Sequence, residues 1–185
     1  AIAPRLDRAE IERSKRNPVE NLAAYDCFLH GLAQHYRLTR GSFDEALRLF
    51  YQAIQLDPDF VTPYGFACRI FAGRKTQNWA VDETGEQEEV RRLAEHVLKA
   101  DHDDAGALCG AGHALAYVGR DYDTGVAMVD RGLALNPNLA LGWALRGFLS
   151  THLGQHEAAV EQIARGLRLN PMDPSAPVSH TAIAQ

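Results

Sequence analysis

The pattern of hydrophobic and polar positions repeats along the chain. Three segments end with the same order of small, apolar and turn-forming residues, and a fourth has the same shape without the proline. These segments are Ala53 to Pro58, Gly132 to Pro137, Gly166 to Pro171 and, without proline, Val97 to His102. The intervals between their last residues are 44, 35 and 34 residues. A period near 34 residues is typical of stacked helix pairs, so the pattern predicts an all-α chain of about four such pairs.

The last repeat shows most plainly why each residue type is needed. Trp143 is followed by Gly147, Gly154, Ala159 and Pro171. Gly147 and Ala159 are small, as required where two antiparallel helices cross closely, and Gly154 is suited to a left-handed turn residue between the helices. Pro171 is expected to end the second helix because its ring cannot continue the preceding turn.

Two repeats depart from this spacing. Gly31 and Gly41 are ten residues apart rather than seven, which predicts an insertion that lengthens the first helix by about one turn. In the second repeat the stretch from Gly73 to Gly85, with Trp79, is predicted to be a long connector. The acidic run from Asp101 to Asp104 falls between repeats, and we interpret it as helix caps rather than a metal site.

These patterns divide the chain into segments. Helix pairs are expected at roughly 19 to 56, 60 to 100, 104 to 135 and 138 to 169, in repeats spanning about 19–58, 59–102, 103–137 and 138–171. Residues 1–18 are predicted to form a linker with a short charged helix, and residues 173–185 the start of a capping helix. We also expect the chain to be part of a longer protein.

The glycine, alanine and proline offsets resemble those of the tetratricopeptide family over about residues 20 to 172. This resemblance implies a right-handed α-solenoid in which the first helix of each pair lines a concave face. The lead-in, Ala3 to Arg13 and then Asn21 to Leu32, resembles the region that joins an upstream domain to C-terminal repeats in bacterial class III adenylate cyclases and related winged-helix regulators. No cyclase catalytic motif is present in the sequence.

Residues on the first helices are the candidates for partner binding. They are Tyr25, Phe28, Leu32 and Tyr36 in repeat one, Phe66 and Arg69 in repeat two, His113 and Tyr117 in repeat three, and Leu145, Phe148 and His152 in repeat four. A largely apolar and aromatic surface of this size is typical of an interface, and the alternative is that helix packing covers it. Arg69 is a candidate for an anionic group, the alternative being a solvated or internally paired side chain.

Composition and charge exclude several classes of function. The net charge of -5 and the pI near 5.9 argue against nucleic-acid binding, and no apolar run reaches the length of a membrane span. Cys27, Cys68 and Cys109 are widely spaced and form neither a disulfide framework nor a zinc motif. The sequence has no nucleophile or phosphate-loop motif, so we expect a cytoplasmic protein without cofactor or metal that is not itself an enzyme.

Two functions therefore stay open. One is a protein-interaction module that binds a peptide or helix on its concave face. The other is a regulatory or self-associating C-terminal arm of an adenylate cyclase-like or transcriptional protein, in which the partner is another domain of the same protein or a second copy.

Overall fold

A computed structural model describes residues 18–100 and 103–171 of the chain. The predicted N-terminal linker helix and the predicted capping helix lie outside these residues. The described part contains eight α-helices and no strand, which confirms the predicted all-α fold. The helices are α1 Pro18–His35, α2 Arg40–Leu56, α3 Thr62–Thr76, α4 Glu83–Lys99, α5 Ala105–Tyr117, α6 Tyr122–Leu135, α7 Ala140–His152 and α8 His156–Leu169.

The helices form two layers. Each odd-numbered helix packs against the even-numbered helix that follows it, and α1, α3, α5 and α7 also contact one another in succession. The even-numbered helices make no extensive contact with each other, and α2, α4 and α6 pack instead against the next odd-numbered helix. We call α1, α3, α5 and α7 the inner helices and the other four the outer helices. This arrangement is that of a helix-pair solenoid, in which a repeat contacts only its neighbours.

The core runs between the two layers. One hydrophobic cluster extends from α1 to α6, and its fully buried side chains include Phe50, Ile70 and Leu93. A second, smaller cluster joins α5, α6 and α7 around Val129 and Leu149. Each such side chain stabilises the fold by roughly 1.5–3 kcal/mol relative to an exposed position. Because neighbouring repeats bury these side chains together, the stacking stabilises every repeat.

The glycines of the last repeat have the roles that the sequence predicts. A Cβ atom on Gly147 would lie 2.4 Å from Cγ1 of Ile163 and 3.1 Å from the carbonyl oxygen of Ala159, so only glycine permits this crossing of α7 and α8. Gly154 has a φ of 72°, in the left-handed region that favours glycine.

The predicted insertion between Gly31 and Gly41 is wrong. The left-handed residue of this turn is Leu38, with a φ of 52°, and it lies seven positions after Gly31. Gly41 instead lies in the first turn of α2, where an added Cβ would meet no atom within 4 Å. The distance of seven residues from Gly31 to the left-handed turn residue is therefore kept, with a leucine in place of glycine. Helix α1 is longer than the other inner helices because it begins farther ahead of the repeat glycine.

The predicted connector in the second repeat is shorter than expected. Helix α3 continues to Thr76 and α4 begins at Glu83, which leaves residues 77–82 as the connection. Gly73 lies within α3, against the ring of Phe43. The connector is anchored by Trp79, whose indole meets the Phe43 ring edge-to-face with centroids 5.6 Å apart.

Polar side chains close the ends of α5. At its start the carboxylate of Asp104 accepts a hydrogen bond from the Ala107 N–H at 2.9 Å, so Asp104 is a helix cap as interpreted for the acidic run. Asp103 pairs instead with Arg131, and Asp101 lies outside the described residues. Beyond its end the Arg91 guanidinium donates to the carbonyl of Gly119 at 2.7 Å, and the Lys75 ammonium donates to the carbonyl of Tyr117. Cations are stabilising at the C-terminal end of a helix because the terminal carbonyls carry partial negative charge.

Candidate functional site

The inner helices carry all but one of the residues that the sequence nominates for partner binding, and the exception, Tyr36, lies in the turn just after α1. The structure exposes these residues unequally. Tyr36 is 51% exposed, and His152 is also exposed. Seven of the others are partly buried: Tyr25, Leu32, Phe66, Arg69, His113, Tyr117 and Phe148. These nine residues form the candidate groove surface.

Phe28 and Leu145 do not belong to this surface. Phe28 is only 7% exposed, and its ring lies 5.9 Å from that of Phe50 and 5.4 Å from that of Phe60, measured between centroids. Leu145 is 8% exposed and belongs to the smaller core cluster. Both side chains project into the packing between helices, so the choice of these two residues from the repeat register was wrong.

The first half of the groove surface is built around Phe66. Its ring meets Phe28 edge-to-face at 5.3 Å and His35 at 6.1 Å. The guanidinium of Arg69 lies 4.8 Å from the centroid of the same ring, within cation–π distance. The Phe66 ring thus contacts both the guanidinium of Arg69 and the buried ring of His35.

The second half joins α5 and α7. The His113 ring stacks on Tyr117 at 5.8 Å and lies 6.5 Å from Phe148. Tyr117 in turn meets His152 edge-to-face at 5.2 Å, and the Nδ1–H of His152 donates to the Phe148 carbonyl at 2.8 Å. Ring contacts therefore continue from one inner helix to the next.

Two histidines of the inner helices have an unsatisfied ring nitrogen. The Nδ1 atoms of His35 and His113 are buried and have no hydrogen-bond partner among the described residues. Burial, and next the charge of Arg69, lowers the pKa of His35 to about 3 and that of His113 to about 4. Both imidazoles are therefore neutral at physiological pH, and Arg69 lies near enough to both to act on their charge.

The structure is similar to the crystal structure of TTC0263, a thermophilic TPR protein of Thermus thermophilus. The two agree with a TM-score of 0.64 at 18% sequence identity, over 95% of this chain and 88% of that one. The chain therefore has the TPR fold. YrrB, described as a TPR protein with an unusual peptide-binding site, matches with a TM-score of 0.49 at 16% identity over 95% of this chain and 80% of that one. MamA matches with 0.47 at 17% identity over 87% and 79%.

These similarities show the fold alone, because the sequence identities are low. The TM-scores of YrrB and MamA are below 0.5, so the assignment of the fold rests on TTC0263. No protein-family model and no curated protein matches the sequence. None of the three structures connects the chain to adenylate cyclases, so that context rests on the lead-in sequence alone.

Sequence reasoning missed one cation at the edge of the TPR groove. The ammonium of Lys75 lies 4.6 Å from the centroid of the Tyr117 ring, in addition to its hydrogen bond to the Tyr117 carbonyl. The sequence pattern places Lys75 in the connector, whereas α3 continues past it. The signal was available in the run from Thr62 to Thr76, which has no proline after Pro63 in the first turn, whereas Gly73 lowers helix propensity without ending the helix.

Reactive groups are few in the described part of the chain. Burial raises the pKa of the Cys68 thiol, and it raises that of Cys109 to about 12, so neither is a thiolate at neutral pH. Residues 18–100 and 103–171 contain no group of three metal-ligating side chains. None of the described helices is both long and apolar enough to span a bilayer.

Proposed function

We propose that this TPR chain is a protein-interaction scaffold that binds a peptide or helix of a partner protein on its groove surface. The observation that carries the proposal is the series of accessible rings on successive inner helices: Phe66 lies on α3, and ring contacts join His113 and Tyr117 of α5 to Phe148 and His152 of α7. Half-buried aromatic side chains offer a large apolar area whose ordering costs little entropy on binding, since the core already fixes them.

Under this proposal the chain is not itself an enzyme, and it binds no cofactor, nucleic acid or membrane. Its described histidines and cysteines are buried, stacked or isolated rather than arranged as a nucleophile and base. We expect a cytoplasmic location, which is also the expectation from the sequence. The partner is a protein, or a domain of the same protein.

A selection of random 12-residue peptides displayed on phage tests this proposal. Peptides enriched on the purified chain are expected to lose affinity at least about tenfold on Phe148→Ala or Tyr117→Ala, because hot-spot aromatic residues dominate such interfaces. Val160→Ala on α8 is the matched control, since Val160 is 42% exposed on an outer helix. Failure to enrich any peptide, or equal losses with Val160→Ala, would contradict groove binding.

Self-association is the second candidate function, and one exposed surface favours it. Leu22 and Leu29 lie seven residues apart on α1, and Tyr36 follows after seven more in the turn just beyond its end. The three side chains are 62%, 41% and 51% exposed. Seven-residue spacing is that of a helix-to-helix seam, so this stripe fits a second copy of the chain. Such an arm would serve the regulatory role expected from the lead-in resemblance.

Light scattering of the full chain across a concentration series tests self-association. Leu29→Glu is expected to make a dimer monomeric, whereas Leu153→Glu in the α7–α8 turn, where Leu153 is 43% exposed, is expected to leave it unchanged. A chain that is monomeric at every concentration would remove this candidate.

A further inference from the structure

Helix α1 has one side in the core and one side exposed to solvent. Its buried side consists of Ala24, Phe28, Gly31 and His35. On the exposed side Leu22, Leu29 and Tyr36 recur every seven residues. Tyr36 keeps the helical register just beyond the end of α1, because its N–H donates to the carbonyl of Leu32 at 3.2 Å. The three apolar side chains therefore lie along one line, about 10 Å apart.

These three side chains are placed symmetrically about Leu29. Leu22 lies seven positions before it and Tyr36 seven positions after it. A second copy of α1 therefore matches this pattern, because Leu29 meets its own equivalent and the outer two positions meet apolar side chains in either direction. Such an interface uses the same surface of both chains and closes on two copies. An unrelated partner gains nothing from this symmetry, so the pattern favours a second copy.

The charge within this stripe decides the direction of the second copy. Asp26 is exposed between Leu22 and Leu29, and the matching exposed position between Leu29 and Tyr36 is Ala33. Two parallel helices would place one Asp26 carboxylate opposite the other, and juxtaposed like charges are unfavourable. In an antiparallel pair each Asp26 lies opposite the small side chain of Ala33 instead. The two carboxylates are then separated by six helical positions, about 9 Å along the axis.

A hydrogen-bond donor for Asp26 lies on the same side of α1. His30 is exposed four positions after Asp26, so the two residues share one flank of the helix. In a symmetric antiparallel pair identical flanks face each other, and Asp26 of one copy lies two helical positions from His30 of the other, about 3 Å along the axis. An imidazole N–H donates to a carboxylate, and the two-fold symmetry forms this pair twice.

We propose that two copies of the chain associate through an antiparallel pair of α1 helices whose two-fold axis passes through Leu29. Leu22 then packs against Tyr36 of the second copy, and Asp26 accepts a hydrogen bond from His30 of the second copy. This inference rests on self-association, the second candidate function, and adds the orientation of the second copy. The shared face from Leu22 to Tyr36 is about 21 Å long, smaller than a standard interface, so the dimer is weak and transient.

This orientation leaves part of the groove surface open in both copies. Tyr117 and Phe148 lie on α5 and α7, which make no extensive contact with α1. A dimer therefore presents these residues twice. Two linked sites bind a partner that carries two copies of the recognised segment more tightly than one site does.

Cysteine crosslinking of the full chain distinguishes the two directions. Leu29→Cys is expected to form a disulfide with its equivalent in the second copy under copper-catalysed oxidation. Leu22→Cys and Tyr36→Cys are expected to give little crosslink alone and a mixed disulfide dimer as the main product when combined. A disulfide requires Cα atoms within about 7 Å of each other, so the product reports which positions are opposite.

The background and the control come from the chain itself. All crosslinking variants carry Cys27→Ser, whereas Cys68 and Cys109 are kept because they are buried. Leu153→Cys, at a similarly exposed position in the α7–α8 turn, is the matched control for random collision. It is expected to crosslink less than Leu29→Cys at the same concentration.

A double-mutant cycle tests the polar pair. Asp26→Asn and His30→Gln are each expected to raise the dissociation constant of the dimer about fivefold, because each removes two symmetric contacts between exposed side chains. The double variant is expected to dissociate no more readily than either single variant. Asp123→Asn on outer helix α6, where Asp123 is exposed, is the control and should leave the constant unchanged. Sedimentation equilibrium measures all four.

The outcomes separate the orientation from self-association itself. Disulfides of Leu22→Cys and of Tyr36→Cys each with its own equivalent, without the mixed product, would show a parallel pair and overturn the orientation. A dimer in which Leu29→Cys crosslinks no more than Leu153→Cys would place the contact elsewhere and leave self-association standing. A chain that is monomeric at every concentration, or a Leu29→Cys thiol that maleimide does not label in the monomer, would overturn both.

Discussion

Arg165 lies over the indole ring of Trp143, with the guanidinium carbon 3.9 Å from the ring centroid. The Nε1–H of the same indole donates to the carbonyl of Pro137 at 2.8 Å. Trp143 is only partly buried, yet it connects α7 both to the turn before it and to α8. Tyr64 makes the corresponding contacts in the second repeat, with its hydroxyl on the Pro58 carbonyl and its ring stacked on a histidine of α4.

We expect Trp143→Ala to lower the free energy of unfolding by about 2 kcal/mol, less than the 3–5 kcal/mol typical of a fully buried tryptophan. Arg165→Ala is expected to lower it by about 0.5–1 kcal/mol, the range of an exposed cation–π pair. Denaturant unfolding measures both, and Arg168→Ala on the same helix should stay within about 0.5 kcal/mol of the wild type. A Trp143→Ala midpoint equal to that of Arg168→Ala would contradict the bridging role.

Two glycines in helices should respond oppositely to alanine. Gly147→Ala is expected to destabilise the chain by about 1–3 kcal/mol, because the new Cβ overlaps Ile163 at the crossing of α7 and α8. Gly41→Ala is expected to stabilise it by about 0.4–1 kcal/mol, because that position is open and helical. Thermal unfolding of the pair is the measurement, and a Gly147→Ala variant that is as stable as the wild type or more stable would contradict the close crossing of α7 and α8 described above.

The sequence predicted the helix pairs because glycine, alanine and proline report backbone constraints directly. Gly147 and Gly154 could be placed correctly for this reason, since close crossing and a positive φ require a missing side chain. The turn between α1 and α2 could not be placed, because Leu38 adopts a positive φ and a leucine in the sequence does not indicate that conformation. The Leu38 N–H donates to the His35 carbonyl at 3.3 Å, a backbone hydrogen bond that a residue of almost any type can make, so the residue types there do not indicate the turn.

The candidate site could be predicted only in part, for a related reason. The repeat register places a residue on an inner helix, and Tyr117 and Phe148 lie there with partly exposed side chains. It does not say whether the side chain turns toward solvent or into the next helix, and Phe28 turns inward because Phe50 and Phe60 meet it there. The position of Lys75 depended on where α3 ends, and helix ends are the least certain feature of a sequence pattern.

The connector at residues 77–82 is expected to be the first interior site cut by subtilisin within the described part of the chain. It is the longest connection between two helices of one repeat there, and Val81 within it is 78% exposed. Trp79→Ala should accelerate this cleavage several-fold, since it removes the contact with Phe43 that anchors the segment. Mass spectrometry of early fragments identifies the site, and a first cut between residues 120 and 137 would contradict the expectation.

Stability should fall as the pH is lowered below neutrality, because His35 and His113 are neutral in the folded state. Their folded pKa values of about 3 and about 4 lie below the value of about 6.5 in an unfolded chain. Between these values the unfolded chain binds protons that the folded chain does not, so the free energy of unfolding decreases with falling pH. The stabilising effect of the neutral rings is complete above about pH 6.5 and is lost toward pH 4.

We expect each histidine to account for a loss of roughly 2 kcal/mol in the free energy of unfolding between pH 8 and pH 5. His35→Phe should remove about half of the combined loss, because phenylalanine fills the same site next to Phe43 and does not titrate. Leu29→Gln is the control, since Leu29 is exposed on the same helix and the change neither adds nor removes a titratable group. Denaturant unfolding at pH 8, 6 and 5 measures the slope, and parallel curves for the wild type and His35→Phe would show that His35 is accessible to protons in the folded chain.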